Sequence, residues 1–247
     1  MQRYNFCCML YVTCFLAMKD VSCLAEKIGV KFKKTDFLLN AVTHRSYLNE
    51  HPKFALGHNE RLEFLGDAVI ELAVTEDLFE NYPNPEGDLT NWRASLVNAN
   101  TLGNLADELG IGDYLLLSKG ESKDTSSKAR LYILANAFEA VVGAIYLDRG
   151  MKEAKKFLKK NLLVKLPEIL EKKLYLDPKS RFQEIAQEKY TVTPTYKVLK
   201  ETGPDHAKKF TIGVYIGDEL IAVGAGTSKQ EAQVDAARNG LESRGWE

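Results

Sequence analysis

The spacing of apolar residues predicts a helical region followed by a mixed helix-and-strand region. In HNERLEFLGDAVIELAV, residues 58–74, apolar residues recur at every third or fourth position, which predicts an amphipathic helix. Residues 90–110 show the same spacing and end at Gly110, a residue typical of helix C-termini. LYILANAFEAVVGAIYLDRG, residues 131–150, is apolar on nearly every side and predicts a helix inside a core. Residues 151–173 predict one further helix, which is rich in lysine.

The last seventy residues follow a different pattern. The segment 180–190, SRFQEIAQEKY, predicts a helix, and KQEAQVDAARNGLES near the C-terminus predicts another. Three strand-like runs lie between them: TPTYKVLKETG, KKFTIGVYIG and ELIAVGAGTS. We therefore predict a helical domain over 18–173, a linker over 174–178 and a small α-β-β-β-α domain over 179–247.

Composition limits the classes of protein to consider. The chain has 247 residues, of which 45% are hydrophobic, enough for one large core or two smaller ones. The 33 Lys and Arg residues nearly balance the 34 Asp and Glu residues, so any binding of nucleic acid must come from local patches. All four cysteines lie within residues 7–23, and nothing later could pair with them. A disulfide framework or a structural zinc site is therefore not expected.

The first 17 residues form an apolar extension with three interpretations. The run 4–18 is short for a transmembrane helix, and its charge pattern is poor for a signal peptide. We favour translation from Met18, with a loosely packed extension as the alternative. We expect a cytoplasmic protein without a membrane partner.

Three acidic residues of the 58–74 helix share one face. Glu60, Glu63 and Asp67 fall within about 60° on a helical wheel, where like charges repel unless a cation lies opposite. Oxygen ligands of this kind suit Mg²⁺, although a solvated acidic surface is the more common explanation for such a stripe when it is taken alone. Gly66 favours the first interpretation, because glycine inside a helix is costly unless another backbone comes close.

A second helix contributes an acid from an apolar environment. Glu139 lies in the 131–150 helix, one turn after Asn136 and on the same face. Carboxylates are rarely buried without a partner. A buried carboxylate at Glu139 that faces the acids of the 58–74 helix is what a metal site requires. Two other residues stay open at this point: His44 and Arg93 could each contact phosphate or have a purely structural role.

The sequence HNERLEFLGDAV, together with the order of the later segments, resembles ribonuclease III, the double-strand-specific endoribonuclease. The resemblance extends from about residue 20 to the C-terminus. It implies an all-α endonuclease domain of the ribonuclease III fold, followed by a small α+β (α-β-β-β-α) double-stranded RNA-binding domain.

The resemblance also implies roles for residues of the first domain. The metal ligands would be four residues from two helices: Glu63, Asp67, Asn136 and Glu139. The catalytic residues would be Asp67 and Glu139, with Glu60 and the loop residue Glu86 lining the same site. The family usually has aspartate at the position of Asn136 and often has serine at that of Tyr132. Asparagine offers a carbonyl oxygen but no charge, so metal binding should be weaker.

In the second domain, the resemblance implies contacts with RNA from three places. These are the first helix at Gln183 and Glu184, the loop containing His206, and the start of the last helix at Lys229. Residues 177–247 contain ten Lys and Arg against eleven Asp and Glu, a net charge of −1. We therefore predict modest, salt-sensitive binding by this domain. Phe64 matches an aromatic that inserts into a partner subunit; a core position for it would instead predict a monomer.

The expected function is hydrolysis of double-stranded RNA by a homodimer with Mg²⁺, for which Mn²⁺ can substitute. The products would carry 5′-phosphates, 3′-hydroxyls and a short 3′ overhang. Ribosomal, messenger and transfer RNA precursors are the expected substrates. Two alternatives remain: a silent double-stranded RNA-binding protein, with Asn136 as the lesion, and an unrelated helical hydrolase of small phosphate esters.

Overall fold

The computed structural model describes residues 20–124, 128–171, 173, 175, 177–204 and 208–246. The chain divides into two compact units, with the boundary after residue 172. The predicted apolar extension, 1–17, lies outside the described residues, as does His206.

The first unit is helical. Its α-helices, in chain order, are α1 Val21–Ile28, α2 Thr35–Ala41, α3 Arg45–Glu50, α4 Glu60–Asn81, α5 Glu86–Leu96, α6 Ala99–Glu108, α7 Lys128–Arg149, α8 Met151–Asn161 and α9 Leu166–Glu171. Short 3₁₀ turns cover Ile111–Tyr114, Glu121–Lys123 and Leu163–Lys165. The predicted helices over 58–74 and 131–150 correspond to α4 and α7, and Gly110 has the left-handed φ of 68° expected after a helix.

Helix α7 is the centre of this unit. Phe138, Val141 and Ile145 have no exposed surface, and the helix packs against α2, α4 and α6. In the described part of the chain, α7 is also the helix whose length and hydropathy would allow a membrane span. Its contacts with the surrounding helices account for the same composition, because a helix that is apolar all round is typical of a large core.

The structure corrects two predictions made for 86–110. Glu86 was predicted in a loop, but it is the first residue of α5, directly after Pro85. A proline before the first turn and acidic residues within it favour a helix start there. The predicted single helix is interrupted at Asn98, whose side chain accepts a hydrogen bond from the Thr101 backbone N–H at 3.0 Å. An asparagine that caps a new helix ends the preceding one.

The lysine-rich helix predicted over 151–173 is also divided. Helix α8 ends at Asn161, a 3₁₀ turn follows, and α9 begins at Leu166. Pro167 explains the break, because proline has no backbone N–H to donate and is tolerated in a first turn but not inside a helix.

The second unit has the predicted α-β-β-β-α order. Its elements are α10 Pro178–Tyr190, β1 Thr195–Thr202, β2 Lys209–Ile216, β3 Glu219–Gly226 and α11 Lys229–Arg244. The strands form an antiparallel sheet in the order β1-β2-β3, and α11 packs on it and on α10. Phe182 and Trp246 pack together within its core, with ring centroids 5.3 Å apart and the ring planes tilted by 38°.

Candidate active site

A close crossing of α4 and α7 brings the predicted acids together. A Cβ atom on Gly66 would lie only 1.8 Å from the backbone oxygen of Glu139, so α7 passes directly over this glycine. Gly66 precedes Asp67 and lies one turn after Glu63. The close approach predicted for Gly66 is therefore present, and its neighbour across the helices is Glu139.

The electrostatics confirm that these acids share one environment. Burial, followed by the charges of Asp67 and Glu63, raises the pKa of Glu139 to about 7. Burial also raises the pKa of Glu63, with Glu60 and Asp67 adding to the effect. We call these four residues, Glu60, Glu63, Asp67 and Glu139, the acidic cluster. Acidic side chains that are partly buried and lie close to other negative charges are typical of functional sites.

The donor atoms of the cluster suit a divalent cation. Carboxylate oxygens are ligands for hard ions, and half-buried Asn136, one turn before Glu139 on α7, adds an amide oxygen nearby. Among the described residues, no three acidic, histidine or cysteine side chains converge as a complete metal cage. Mg²⁺ does not need one, because it is usually bound by one or two carboxylates and keeps several waters. The residues therefore fit such an ion.

Two basic side chains lie beside Glu60, and neither contact was predicted from the sequence. The Glu60 carboxylate lies 3.4 Å from the Arg45 guanidinium and 3.7 Å from Nδ1 of His58. Arg45 is the first residue of α3 and its side chain is exposed. A positive group therefore borders the acidic cluster on the side of Glu60. The signal for Arg45 in the sequence is the polar segment THRSYLNE, residues 43–50, which precedes the 58–74 helix.

His44 and Arg93 both have structural roles. His44 caps α3, since its Nδ1 accepts a hydrogen bond from the Ser46 backbone N–H at 3.3 Å. Burial lowers the pKa of His44, which favours the neutral ring that such a cap needs. Arg93 joins α5 to α4 through an ion pair with Glu71 at 3.1 Å and a hydrogen bond to Thr75 at 2.9 Å.

Glu86 is placed differently from the other predicted catalytic residues. Its Oε1 accepts a hydrogen bond from the Thr90 hydroxyl at 3.0 Å, within its own helix. The acids that raise the pKa of Glu139 are Asp67 and Glu63. The role of Glu86 at the site therefore stays a prediction.

Phe64 projects from the surface of α4. It is 82% exposed, so the alternative of a core position is wrong. Leu72 and Phe79 are exposed at 55% and 78%, and the three residues fall within about 80° on the helical wheel. We call Phe64, Leu72 and Phe79 the apolar stripe of α4. An exposed stripe of large apolar side chains is typical of an interaction surface.

The predicted RNA contacts of the second unit are on its surface. Gln183 and Glu184 are exposed on α10, and Lys229 is the exposed first residue of α11. Nζ of Lys229 lies 3.2 Å from the Glu201 carboxylate. His206 belongs to the undescribed part of the β1–β2 connection.

Comparison with known proteins identifies both units. The family model for ribonuclease-III-like proteins matches residues 34–166, and the model for the double-stranded RNA binding motif matches residues 178–244. Ribonuclease 3 of Carboxydothermus hydrogenoformans is 46% identical over 221 residues, which cover 89% of this chain and 93% of the relative. The chain belongs to the ribonuclease III family.

Other relatives agree with this assignment. Ribonuclease 3 of Oceanobacillus iheyensis is 42% identical, with 91% of this chain and 98% of the relative covered. The solved nuclease domain of ribonuclease III from Campylobacter jejuni matches with a TM-score of 0.53 and 35% identity. That match covers 60% of this chain and 99% of the Campylobacter domain, a structure described with respect to its dimer-forming region.

This ribonuclease III is thus an endoribonuclease specific for double-stranded RNA, with a nuclease domain and an RNA-binding domain. Divalent-metal dependence is general in its family. Both alternatives lose support: relatives over nearly the whole chain are named as enzymes, and a hydrolase of small phosphate esters has no use for an RNA-binding motif.

Proposed function

We propose that this ribonuclease III cleaves double-stranded RNA with Mg²⁺, or with Mn²⁺ in its place, at the acidic cluster. The observation that carries the proposal is Glu139, a half-buried acid whose pKa is raised to about 7 between the charges of Asp67 and Glu63. In the metal-free protein, the carboxylates of the two helices repel one another, and this repulsion has an electrostatic cost. A divalent cation removes that cost by neutralising them.

Each residue of the site has a defined task in this proposal. Asp67 and Glu139 hold the metal, Glu63 adds a further carboxylate, and Asn136 offers its carbonyl oxygen directly or through water. When bound, the metal supplies an activated water and stabilises the charge that develops on the phosphate. Glu60 keeps the Arg45 guanidinium at the border of the cluster, where it can attract the RNA backbone towards an otherwise negative surface.

Two sites are needed to cut both strands, and a homodimer provides them. The apolar stripe of α4 supports an interface between two copies, with Phe64 as its most exposed member. In a symmetric dimer the same patch serves both subunits. One cut on each strand then produces a short 3′ overhang, with 5′-phosphate and 3′-hydroxyl ends. We further propose that the enzyme is cytoplasmic and processes precursors of ribosomal, messenger and transfer RNA.

The test is cleavage of an end-labelled perfect RNA duplex by the full chain, with Mg²⁺ and with EDTA. Mg²⁺-dependent cuts with 5′-phosphates on both strands are expected. Asp67→Asn and Glu139→Gln should abolish cleavage and preserve binding of the duplex. Glu80→Gln, which neutralises an exposed acid near the opposite end of α4, is the matched control and should cleave normally. Binding without cleavage by the unaltered chain would overturn the proposal and point to a silent RNA-binding protein.

A further inference from the structure

The start of α11 is fixed by a reciprocal cap. The Ser228 hydroxyl oxygen accepts a hydrogen bond from the Glu231 backbone N–H at 3.1 Å, and the Glu231 carboxylate accepts one from the Thr227 N–H at 2.9 Å. The first bond satisfies an N–H group that has no partner within the helix, and the second ties the residue before the N-cap to the first turn. The backbone of Lys229, which lies between these residues, is therefore held in one position.

The ammonium group of Lys229 is held by the sheet. It lies 3.2 Å from the Glu201 carboxylate and 5.6 Å from the centre of the Phe210 ring. Glu201 on β1 and Phe210 on β2 are direct cross-strand partners, so one pair of residues contacts the lysine from both strands. An ion pair and a cation–π contact together direct the side chain towards the end of β1.

Glu201 lies between two predicted RNA contacts of this domain. It lies two residues before Gly203, where β1 ends and the predicted contact loop begins, and it pairs with the lysine of the neighbouring predicted contact. Within 229–233, KQEAQ, Lys229 is the single lysine. A phosphate that approaches this lysine must replace the carboxylate and also meets its negative charge.

We propose that Glu201 sets the RNA affinity of this domain by competing with phosphate for Lys229. The inference rests on the proposed function, because it requires Lys229 to contact the RNA backbone. Phosphate contacts dominate the affinity of such domains, and each one contributes to the salt dependence. A lysine already neutralised by a carboxylate contributes less to both quantities. The ion pair thus lowers the affinity of this domain for RNA and makes that affinity less dependent on salt.

The expected size of the effect follows from the exposure of the pair. Exposed ion pairs are weak, so release of Lys229 should tighten binding by about two- to fivefold. The slope of log affinity against log salt concentration should become steeper by up to about 0.9, the value for one additional phosphate contact.

The experiment measures binding of the full chain to a labelled RNA duplex in EDTA, which prevents cleavage, over a range of salt concentrations. Glu201→Gln should bind more tightly and with a steeper salt slope. Lys229→Gln should weaken binding, and adding Glu201→Gln to that variant should restore little. Glu219→Gln is the matched control: it removes the same charge from an ion pair with Arg244 at the other end of α11, about 22 Å away. It should leave affinity nearly unchanged.

Several outcomes would overturn the inference. Equal affinity of Glu201→Gln and Glu219→Gln would show only a bulk charge effect, and weaker binding by Glu201→Gln would show a structural ion pair. A gain that persists without Lys229 would show direct repulsion of the RNA instead. If thermal melting shows that Glu201→Gln is unfolded, Glu201→Thr, which suits a strand, repeats the test. Failure of the unaltered chain to bind the duplex would contradict the proposed function itself.

Discussion

Gly66 of α4 and Gly143 of α7 meet backbone to backbone. A Cβ atom on Gly66 would lie 3.0 Å from the Gly143 nitrogen, and one on Gly143 would lie 3.2 Å from the Gly66 nitrogen. Paired glycines let two helices approach more closely than side chains would allow. The crossing places the Glu139 backbone over Gly66, and it therefore sets the distance between the acids of the two helices.

We predict that Gly66→Ala destabilises the protein and reduces cleavage together. The added methyl group would meet the Glu139 backbone oxygen at 1.8 Å, and a backbone neighbour cannot move as a flexible side chain can. Overpacking of this kind costs about 1–3 kcal/mol in the free energy of unfolding, or more. The helices must separate, which also moves Glu139 away from Asp67. Urea unfolding and the cleavage rate measure the two effects.

Gly87→Ala is the control for that substitution. Gly87 belongs to α5, and a Cβ atom there would have no neighbour within 4 Å. Unchanged or slightly higher stability is expected, because alanine has the higher helix propensity. If Gly66→Ala were equally well tolerated, the close crossing would have no role in holding the site.

The sequence predicts the two helices of the acidic cluster well, because the helical periodicity and one glycine indicate them. Glu60, Glu63 and Asp67 share a face in any regular helix, and the glycine beside Asp67 indicates a close partner. The Arg45–Glu60 and Lys229–Glu201 pairs could not be predicted, since each joins residues from different elements whose approach depends on tertiary packing. Glu86 was misplaced because the helix-start signal of Pro85 competes with a loop signal from the surrounding prolines and glycine.

Asn136→Asp should strengthen metal binding. The substitution adds a fourth negative charge to the ligands from α4 and α7, and the charge of the ligands sets affinity for hard cations. We expect the Mg²⁺ concentration for half-maximal cleavage to fall on the order of tenfold. The metal-free variant should also be less stable, because the new charge lies one turn from Glu139. Asn104→Asp, on the exposed face of α6, should change neither quantity. An unaltered Mg²⁺ requirement in Asn136→Asp would exclude residue 136 as a ligand.

Glu139→Gln should remove a pH dependence from the stability of the metal-free protein. The folded-state pKa of Glu139 is about 7, above its ordinary value of 4.5, because of burial and of the charges on Asp67 and Glu63. Between these two values the folded protein binds a proton that the unfolded chain does not. The free energy of unfolding therefore falls as pH rises from 4.5 to 7. The variant lacks this titration and should be the more stable protein at pH 8.

Urea unfolding in EDTA at pH 5 and pH 8 provides the measurement. At pH 8 the free energy of unfolding of the variant should exceed that of the unaltered chain. This difference should be larger at pH 8 than at pH 5. Saturating Mg²⁺ should reverse this order, because it binds and stabilises the folded protein that retains the carboxylate. Parallel pH dependence in both proteins would show that Glu139 titrates normally.

Phe64→Ala should dissociate the proposed dimer without disrupting either active site. Burial of one phenylalanine side chain contributes about 1.5–3 kcal/mol, and a symmetric interface loses two of them. The dissociation constant should therefore rise by at least about a hundredfold, as measured by sedimentation. Val164→Ala, which shortens a residue that is 64% exposed in a 3₁₀ turn, is the control and should leave the dimer intact. Because Asp67 and Glu139 belong to one chain, each monomer retains its proposed metal ligands. Cleavage by Phe64→Ala should then recover as protein concentration rises. A cleavage defect that does not depend on concentration would mean that Phe64 acts within the chain rather than between two copies.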